Sequence, residues 1–169
     1  MLCLPLLLAG WHGLVFSQTF TSITSGSPVT ELGAWRSVTW VDYDRDGDLD
    51  LFVTRGKAGG QDNVLFRNDG PPNFTFTRMS DLSISQDHLP SDGSSWADYD
   101  NDGNPDCFAA NWYNVNNLLF HNNGNGTFTR ITTGPVYTDR GYSETGSWAD
   151  YNNDGLVDLY VANSAGSRL

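Results

Sequence analysis

The feature that most constrains this 169-residue chain is an internal repeat. A pattern of Trp, a small apolar residue, Asp, Tyr and then Asp or Asn begins at Trp40, Trp96 and Trp148, so successive copies lie 56 and 52 residues apart. Two further segments return in the same order, namely Asn63–Asn68 as Asn117–Asn122 and Thr75–Met79 as Thr127–Ile131. A period of this length is typical of proteins built from stacked supersecondary units.

Each repeat is predicted to contain four strands. The segments between the turns are short and rich in β-branched and aromatic residues, and no stretch has an apolar period long enough for a helix. Asp69-Gly70 and Asn123-Gly124 predict hairpin turns between the third and fourth strands. The predicted strands are Ser37–Val41, Asp50–Thr54, Asn63–Arg67, Phe74–Met79, Ser94–Ala97, Asp106–Ala110, Asn117–His121, Thr127–Thr132, Gly146–Ala149 and Asp158–Ala162.

Four antiparallel strands in about 54 residues are typical of one blade of a β-propeller. The sequence therefore predicts an all-β fold in an incomplete ring, with two full blades and a partial blade at each end. The units are residues 19–24 (partial), 35–80, 94–133 and 142–169 (partial). Thr19–Ile23 resembles the fourth strand of the later units, so we expect it to be the outer strand of a blade that is otherwise missing. The recurring tryptophans are expected to pack between blades.

The N-terminal segment is apolar and contains no Lys or Arg between Leu2 and Phe16. Its length and its small residues near Ser17 favour a signal peptide over residues 1–17, which would leave a domain of residues 18–169. A buried N-terminal strand or a misplaced start is the alternative. A cleaved leader predicts a secreted or cell-surface protein, or a periplasmic one, with Cys107 as its single free thiol and with no membrane span remaining.

The formal net charge is −11, from 20 acidic and 9 basic residues. This balance argues against binding to nucleic-acid phosphates or to an anionic membrane, because both require a basic surface. The acidic residues are concentrated in three nine-residue segments with the pattern D-x-[DN]-x-D-G-x-x-D, at residues 42–50, 98–106 and 150–158.

These segments are predicted to be metal-binding loops. Carboxylates so close together repel one another unless a cation lies among them. Ca²⁺ takes six to eight oxygen ligands in flexible geometry, and Gly at the sixth position allows the loop to wrap around the ion. Mg²⁺ is less suited because it retains its waters, and the loops offer no His or Cys for Zn²⁺. An EF-hand is excluded by the strands on both sides, and Asx-rich turns without an ion are the alternative.

At these residues the chain resembles the FG-GAP/VCBS repeat family, whose members form integrin-α-like β-propellers. The resemblance covers roughly Thr19 to Asn163. It implies calcium between the first two strands of some blades of a seven-bladed propeller, in extracellular proteins of adhesion or carbohydrate binding. Carried over by position, the side-chain ligands are Asp42, Asp44, Asp46, Asp50, Asp98, Asp100, Asp102, Asp106, Asp150, Asn152, Asp154 and Asp158, with the carbonyls of Asp48, Asn104 and Leu156. The third of the three sites is expected to be the weakest, since Asn152 carries no charge.

The remaining residues predict a non-catalytic protein. Neither His88 nor His121 has a catalytic spacing, and His121 is interpreted as an exposed strand residue because it occupies the position of Arg67. Ser143 lacks the second Gly of a nucleophile elbow. The ligand is expected to be an unknown protein or a carbohydrate. Self-association through an open sheet edge, or the remainder of a longer chain, would also be consistent with the repeat count. One alternative is a lectin-like propeller that uses Trp35, Trp112, Tyr113 or Tyr142, and another is an accessory part of a larger extracellular hydrolase or lyase.

Overall fold

The computed structural model describes residues 19–164, so the predicted signal peptide at residues 1–17 lies outside the described residues. The described part is almost entirely β-structure, with one short helix, α1 (Pro135–Thr138), and a 3-10 turn at Ser83–Ser85. Its strands are β1 (Trp35–Val41), β2 (Asp50–Arg55), β3 (Val64–Asn68), β4 (Phe76–Met79), β5 (Ser91–Ala97), β6 (Asp106–Asn111), β7 (Val115–Asn116), β8 (Leu118–Asn122), β9 (Phe128–Ile131), β10 (Arg140–Gly141), β11 (Ser143–Ala149) and β12 (Asp158–Asn163). Within residues 19–164, no helix has the length and apolar character needed to cross a bilayer.

The strands form two four-stranded antiparallel sheets and one two-stranded sheet. Their orders are β1-β2-β3-β4, β5-β6-β8-β9 and β11-β12, and a small ribbon pairs β7 with β10. The prediction of an all-β fold with four-stranded, propeller-like blades is confirmed, and the predicted strand ends differ from the observed ones by at most three residues. We refer below to these three sheets as blades one, two and three.

The blades stack because their second strands are buried on both faces. All six residues of β2 are buried, and so are all six of β6. Phe52 of β2 lies in a core shared with Cys107 and Phe120 of blade two. The next residue along β6, Phe108, points to the opposite face and packs with Val161 of blade three. Since side chains alternate along a strand, a single strand supplies one face to each of two neighbouring cores.

The recurring tryptophans confirm the expected inter-blade packing in two repeats but not in the first. Trp96 contacts Phe52 edge-on at 5.4 Å between ring centroids, and Trp148 stacks on Tyr99 at 6.4 Å with 13° between the planes. Trp40 is 57% exposed and contacts Phe76 of its own blade. It lies on the face of blade one that points away from blade two, where no other blade of the described residues covers it.

The expected outer strand at Thr19–Ile23 is not observed. This segment has no regular secondary structure, and Phe20 and Ile23 are 92% and 68% exposed. A strand requires a partner backbone for its hydrogen bonds. Among residues 19–164 no strand pairs with this segment, so its alternating Thr and Phe residues do not form a ladder. Ile23 instead lines a groove with Trp40 and Phe76 on the outer face of blade one.

Phe52→Ala should destabilise the stack strongly, because it leaves a cavity in the core between blades one and two. The expected loss is about 3–5 kcal/mol in the free energy of unfolding, measured by urea denaturation. The matched control is Phe20→Ala, because Phe20 is almost fully exposed and its loss should cost less than about 0.5 kcal/mol. Equal effects of the two substitutions would contradict this packing scheme.

Candidate metal centre

The three acidic loops have the same backbone conformation. Each one joins the first strand of its blade to the second. The fourth residue has a positive φ in every loop: Arg45 (63°), Asn101 (59°) and Asn153 (59°). The sixth does too: Gly47 (95°), Gly103 (90°) and Gly155 (89°). Gly adopts such angles without steric cost, and this explains its position in the repeat.

The first carboxylate of each loop binds backbone N–H groups of the turn. In the second loop, Asp98 accepts hydrogen bonds from the N–H groups of Asp102 (3.0 Å) and Gly103 (2.8 Å). Asp150 does the same in the third loop, and Asp42 accepts from the Gly47 N–H (3.1 Å). These bonds curl the loop around its own first side chain, so that the intervening carboxylates lie on the same side.

The fifth and seventh positions are also linked in every loop. The seventh N–H donates to the fifth carboxylate, in the pairs Asp48–Asp46 (2.9 Å), Asn104–Asp102 (2.8 Å) and Leu156–Asp154 (2.9 Å). The hydrogen bond from the Asn104 backbone holds the pKa of Asp102 below its ordinary value. The proposed role of the carbonyls of Asp48, Asn104 and Leu156 as metal ligands stays a prediction.

In the first two loops the ninth carboxylate is buried and connects its own strand to the start of the loop and to the third strand of the blade. Asp106 accepts the Tyr99 N–H (3.1 Å) with one oxygen and the Asn122 N–H (2.7 Å) of β8 with the other. Asp50 makes the equivalent bonds to the N–H groups of Tyr43 and Asn68. Burial raises the pKa of Asp50 to about 6 and also raises that of Asp106. The ninth Asp is therefore held in place by the fold itself.

In each of the first two loops the structure brings together three of the four predicted side-chain ligands, leaving out Asp46 in the first loop and Asp106 in the second. Oxygen atoms of Asp42, Asp44 and Asp50 lie within 4.8 Å of one another, and so do those of Asp98, Asp100 and Asp102. Burial, followed by the charge of Asp46, raises the pKa of Asp44. Oxygen-only donors at this spacing fit a hard cation such as Ca²⁺.

The environment of one carboxylate oxygen supports a cation at the first loop. Asp42 Oδ1 is buried and has no hydrogen-bond partner among the described residues. A buried carboxylate oxygen without a partner is costly, because it has lost its water and gained nothing in return. A cation among Asp42, Asp44 and Asp50 would supply the missing interaction. The residues present therefore fit a bound metal ion.

The third loop repeats the hydrogen bonds but is more open. Tyr151 is 62% exposed, whereas its counterpart Tyr43 is 3% exposed because Phe128 of blade two covers it. Within the described residues, the third loop has no three carboxylates with oxygens within 4.8 Å of one another. Both observations agree with the expectation that this site is the weakest, which stays a prediction.

Neighbouring loops are joined across blades. The side-chain amide of Asn122 in blade two donates to the Tyr43 carbonyl in the first loop (2.8 Å). Asn101 in the second loop donates to the Gly155 carbonyl in the third (3.1 Å). These bonds connect the first loop to blade two and the second loop to the third, along one edge of the stack.

Sequence reasoning missed His121. It was expected to be an exposed strand residue, but its side chain is only 26% exposed and lies beside the second loop. Its Nδ1 is 3.2 Å from Asp100 Oδ2 and 3.3 Å from Asp106 Oδ1. The reason is the pairing of β8 with β6, which places His121 next to the start of β6. A histidine from outside the nine-residue loop therefore lies beside the loop carboxylates, although the loop sequence itself contains none.

Substitutions in the second loop should separate its structural and metal-binding carboxylates. Asp106→Ala leaves the buried N–H groups of Tyr99 and Asn122 without acceptors, so it should cost about 2–5 kcal/mol of stability even in the presence of a chelator. Asp102→Ala, at an exposed position, should cost at most about 1 kcal/mol under the same conditions. Chemical denaturation in EDTA measures both, and a similar small loss for both variants would contradict the role given to Asp106.

Comparison with known proteins identifies the repeat. No curated protein sequence matches the chain. The family model for the FG-GAP-like repeat matches residues 98–161, from the first residue of the second loop through the third loop and into β12. The matched segment includes two of the three acidic loops and the strands from β6 to β11, but not β5, which precedes the second loop. The resemblance seen in the sequence pattern is thus confirmed, and the chain carries an FG-GAP-like repeat.

Proposed function

We propose that this protein is a calcium-stabilised, non-catalytic binding module of a secreted or cell-surface protein, acting in adhesion or ligand recognition. The observation that carries the calcium proposal is the buried, unpartnered Asp42 Oδ1 within the group formed by Asp42, Asp44 and Asp50. The apolar N-terminal segment supports export. The FG-GAP-like repeat supports a propeller-like module rather than a catalytic domain.

The role proposed for calcium is structural. In each loop the ion would be held by the side chains of the first, third, fifth and ninth residues and by the seventh carbonyl, and it would supply positive charge that offsets the repulsion among the carboxylates. Three divalent ions would change the formal net charge from −11 to about −5. Since hydrogen bonds join the loops to neighbouring blades, metal binding would be coupled to the folding of the stack.

Two candidate nucleophiles, Ser143 and Cys107, are poorly placed for catalysis, which supports a non-catalytic role. Ser143 is fully buried at the start of β11. Cys107 is fully buried, and burial raises the pKa of its thiol well above the ordinary value. Since the thiolate is the nucleophilic form, this environment disfavours reactivity.

Removal of calcium should lower the thermal midpoint of unfolding. EDTA would leave the carboxylates of each loop to repel one another, so the folded state should lose stability that added Ca²⁺ restores. Differential scanning calorimetry with EDTA, with excess Ca²⁺ and with excess Mg²⁺ measures this. Mg²⁺ should restore less than Ca²⁺, because it dehydrates reluctantly. An unchanged midpoint in EDTA would refute the structural role.

A cluster of three exposed or partly exposed aromatic residues favours a carbohydrate as the ligand. Trp112 contacts Tyr113 at 6.1 Å and Tyr142 at 5.7 Å between ring centroids, and the two tyrosines contact each other at 6.4 Å. Tyr113 and Tyr142 are 46% and 42% exposed. The structure thus joins three of the four aromatic residues considered from the sequence, and Trp35 instead lies under Arg55 in blade one.

The aromatic cluster lies at the end of the blades opposite to the acidic loops. Trp112 follows the last residue of β6, whose first residue is Asp106 of the second loop, and Tyr142 precedes β11 in the same way. A strand of six residues separates the two ends by about 20 Å. The metal ions would therefore stabilise the stack without contacting the ligand.

Hydrogen bonds and the backbone conformation hold the aromatic cluster in place. The Trp112 indole N–H donates to Glu144 Oε2 (3.2 Å), and the backbone N–H of Asn114 donates to the Gly141 carbonyl (2.8 Å). Tyr113 and Asn114 both have positive φ, at 59° and 58°, a conformation that the surroundings must maintain at some cost. Aromatic rings offer an apolar face for the C–H groups of a sugar, and the neighbouring amide and carboxylate groups can bind its hydroxyls.

Substitution of the aromatic cluster should abolish carbohydrate binding without affecting the fold. On an array of neutral oligosaccharides, the intact protein is expected to bind at least one sugar, and Tyr113→Ala and Tyr142→Ala should each weaken that binding by about tenfold or more. The matched control is Tyr160→Ala, since Tyr160 is 47% exposed on β12 outside the cluster. Absence of any sugar binding, or an equal loss in the control, would refute the carbohydrate proposal and favour a protein ligand.

A further inference from the structure

Among the described residues, the second acidic loop differs from the other two because a histidine nitrogen lies beside its carboxylates. His121 Nδ1 lies 3.2 Å from Asp100 Oδ2 and 3.3 Å from Asp106 Oδ1, and these three groups meet within 4.8 Å. The equivalent residue of blade one is Arg67, whose guanidinium pairs with Asp69 (3.0 Å). A guanidinium cannot ligate a cation, so the first loop has only oxygen donors.

The contact between His121 and the two carboxylates is not a hydrogen bond. Nδ1 is a buried atom, and despite its two close neighbours it has no hydrogen-bond partner among residues 19–164. A protonated imidazole would form ion pairs with both carboxylates at these distances, but the angles do not suit a hydrogen bond to either one. A cation bound between Nδ1 and the two carboxylate oxygens would interact favourably with all three atoms.

The spacing of the donors indicates which cation. With bonds of about 2.0–2.2 Å, the ligands of tetrahedral Zn²⁺ lie about 3.3–3.6 Å apart. The distances from Nδ1 to the two oxygens, 3.2 and 3.3 Å, are close to this range. Ca²⁺ binds oxygen almost exclusively, whereas imidazole and carboxylate together suit Zn²⁺ and similar ions.

The carboxylates are also held in place from outside the site. Asp106 is fully buried, and the N–H groups of Tyr99 and Asn122 donate to its oxygens at 3.1 and 2.7 Å. Such outer contacts fix the orientation of a ligand before the metal arrives and increase affinity. Asp106, one of the two carboxylates that His121 would join, is therefore preorganised.

We propose that His121, Asp100 and Asp106 form a binding site for Zn²⁺ or a similar transition-metal ion, with water in the remaining position. This site shares Asp100 and Asp106 with the calcium loop of the proposed function, so the two ions compete for the second loop. Without such an ion the second loop would bind Ca²⁺ as the other two do, and with it the chain would hold two kinds of metal at equivalent places of its repeat.

The test is a metal titration of the full chain by isothermal calorimetry. Zn²⁺ added to the protein in excess Ca²⁺ should bind with one site per chain, and His121→Gln should weaken that binding by at least about tenfold. Ca²⁺ binding to the other loops should be unchanged in the same variant. The matched control is His88→Gln, because His88 also lies beside a carboxylate, Asp62 (2.8 Å), but is exposed on the surface. It should bind Zn²⁺ as the wild type does.

A spectroscopic measurement distinguishes ligation from a structural role of His121. Co²⁺ in a tetrahedral site absorbs visible light much more strongly than octahedral Co²⁺, so binding to the wild type should produce an intense band that His121→Gln loses. Arg67→His places imidazole at the equivalent position of blade one and should create a second Zn²⁺ site. Unchanged Zn²⁺ affinity in His121→Gln, or a weak octahedral Co²⁺ spectrum, would overturn the proposal. Loss of Ca²⁺ binding throughout the wild-type chain would instead refute the proposed calcium function.

Discussion

Mutual repulsion of carboxylates is the constraint on which this structure depends. Each acidic loop concentrates its negative groups within nine residues, and the fold holds them close by directing backbone N–H groups at them. The ninth Asp shows this most clearly, because Asp50 and Asp106 are buried and each accepts one backbone N–H from its own loop and one from the third strand of its blade. These bonds offset part of the charge but leave Asp42 Oδ1 without a partner. A cation bound among the carboxylates would reduce their Coulombic repulsion further.

The loops and the stacked cores support each other. Successive side chains of β6 point into the cores on either side, so blade two packs against both of its neighbours through this one strand. Asn122 and Asn101 then join the loops of neighbouring blades through side-chain hydrogen bonds to backbone carbonyls. Loop order and blade packing are consequently coupled, and a metal ion in one loop would stabilise more than its own hairpin.

The two ends of the blades differ in chemistry. At one end lie the acidic loops, in which the same nine-residue pattern is repeated. At the other end lie Trp112, Tyr113 and Tyr142, in segments that do not repeat. Repetition suits a stabilising role, because every blade needs its hairpin closed. A specific ligand requires a unique surface, and the non-repeating segments provide one. The proposed division between metal-binding and ligand-binding ends follows from this difference.

The sequence alone determined the blade and its loops, because both depend on local patterns. Alternating apolar residues, Asn-Gly turns and carboxylates at alternate positions predict strands, hairpins and a metal loop without knowledge of distant contacts. Tertiary structure decided what depends on neighbours. Thr19–Ile23 has the residues of a strand but no partner backbone, Trp40 has no covering blade among the described residues, and His121 reaches the second loop only because β8 pairs with β6. The meeting of Trp112 with Tyr142, thirty residues apart, likewise depends on how blade two contacts blade three. Local periodicity fixes which faces are apolar, whereas the residues that meet across strands and blades are fixed only by the register in which the sheets assemble.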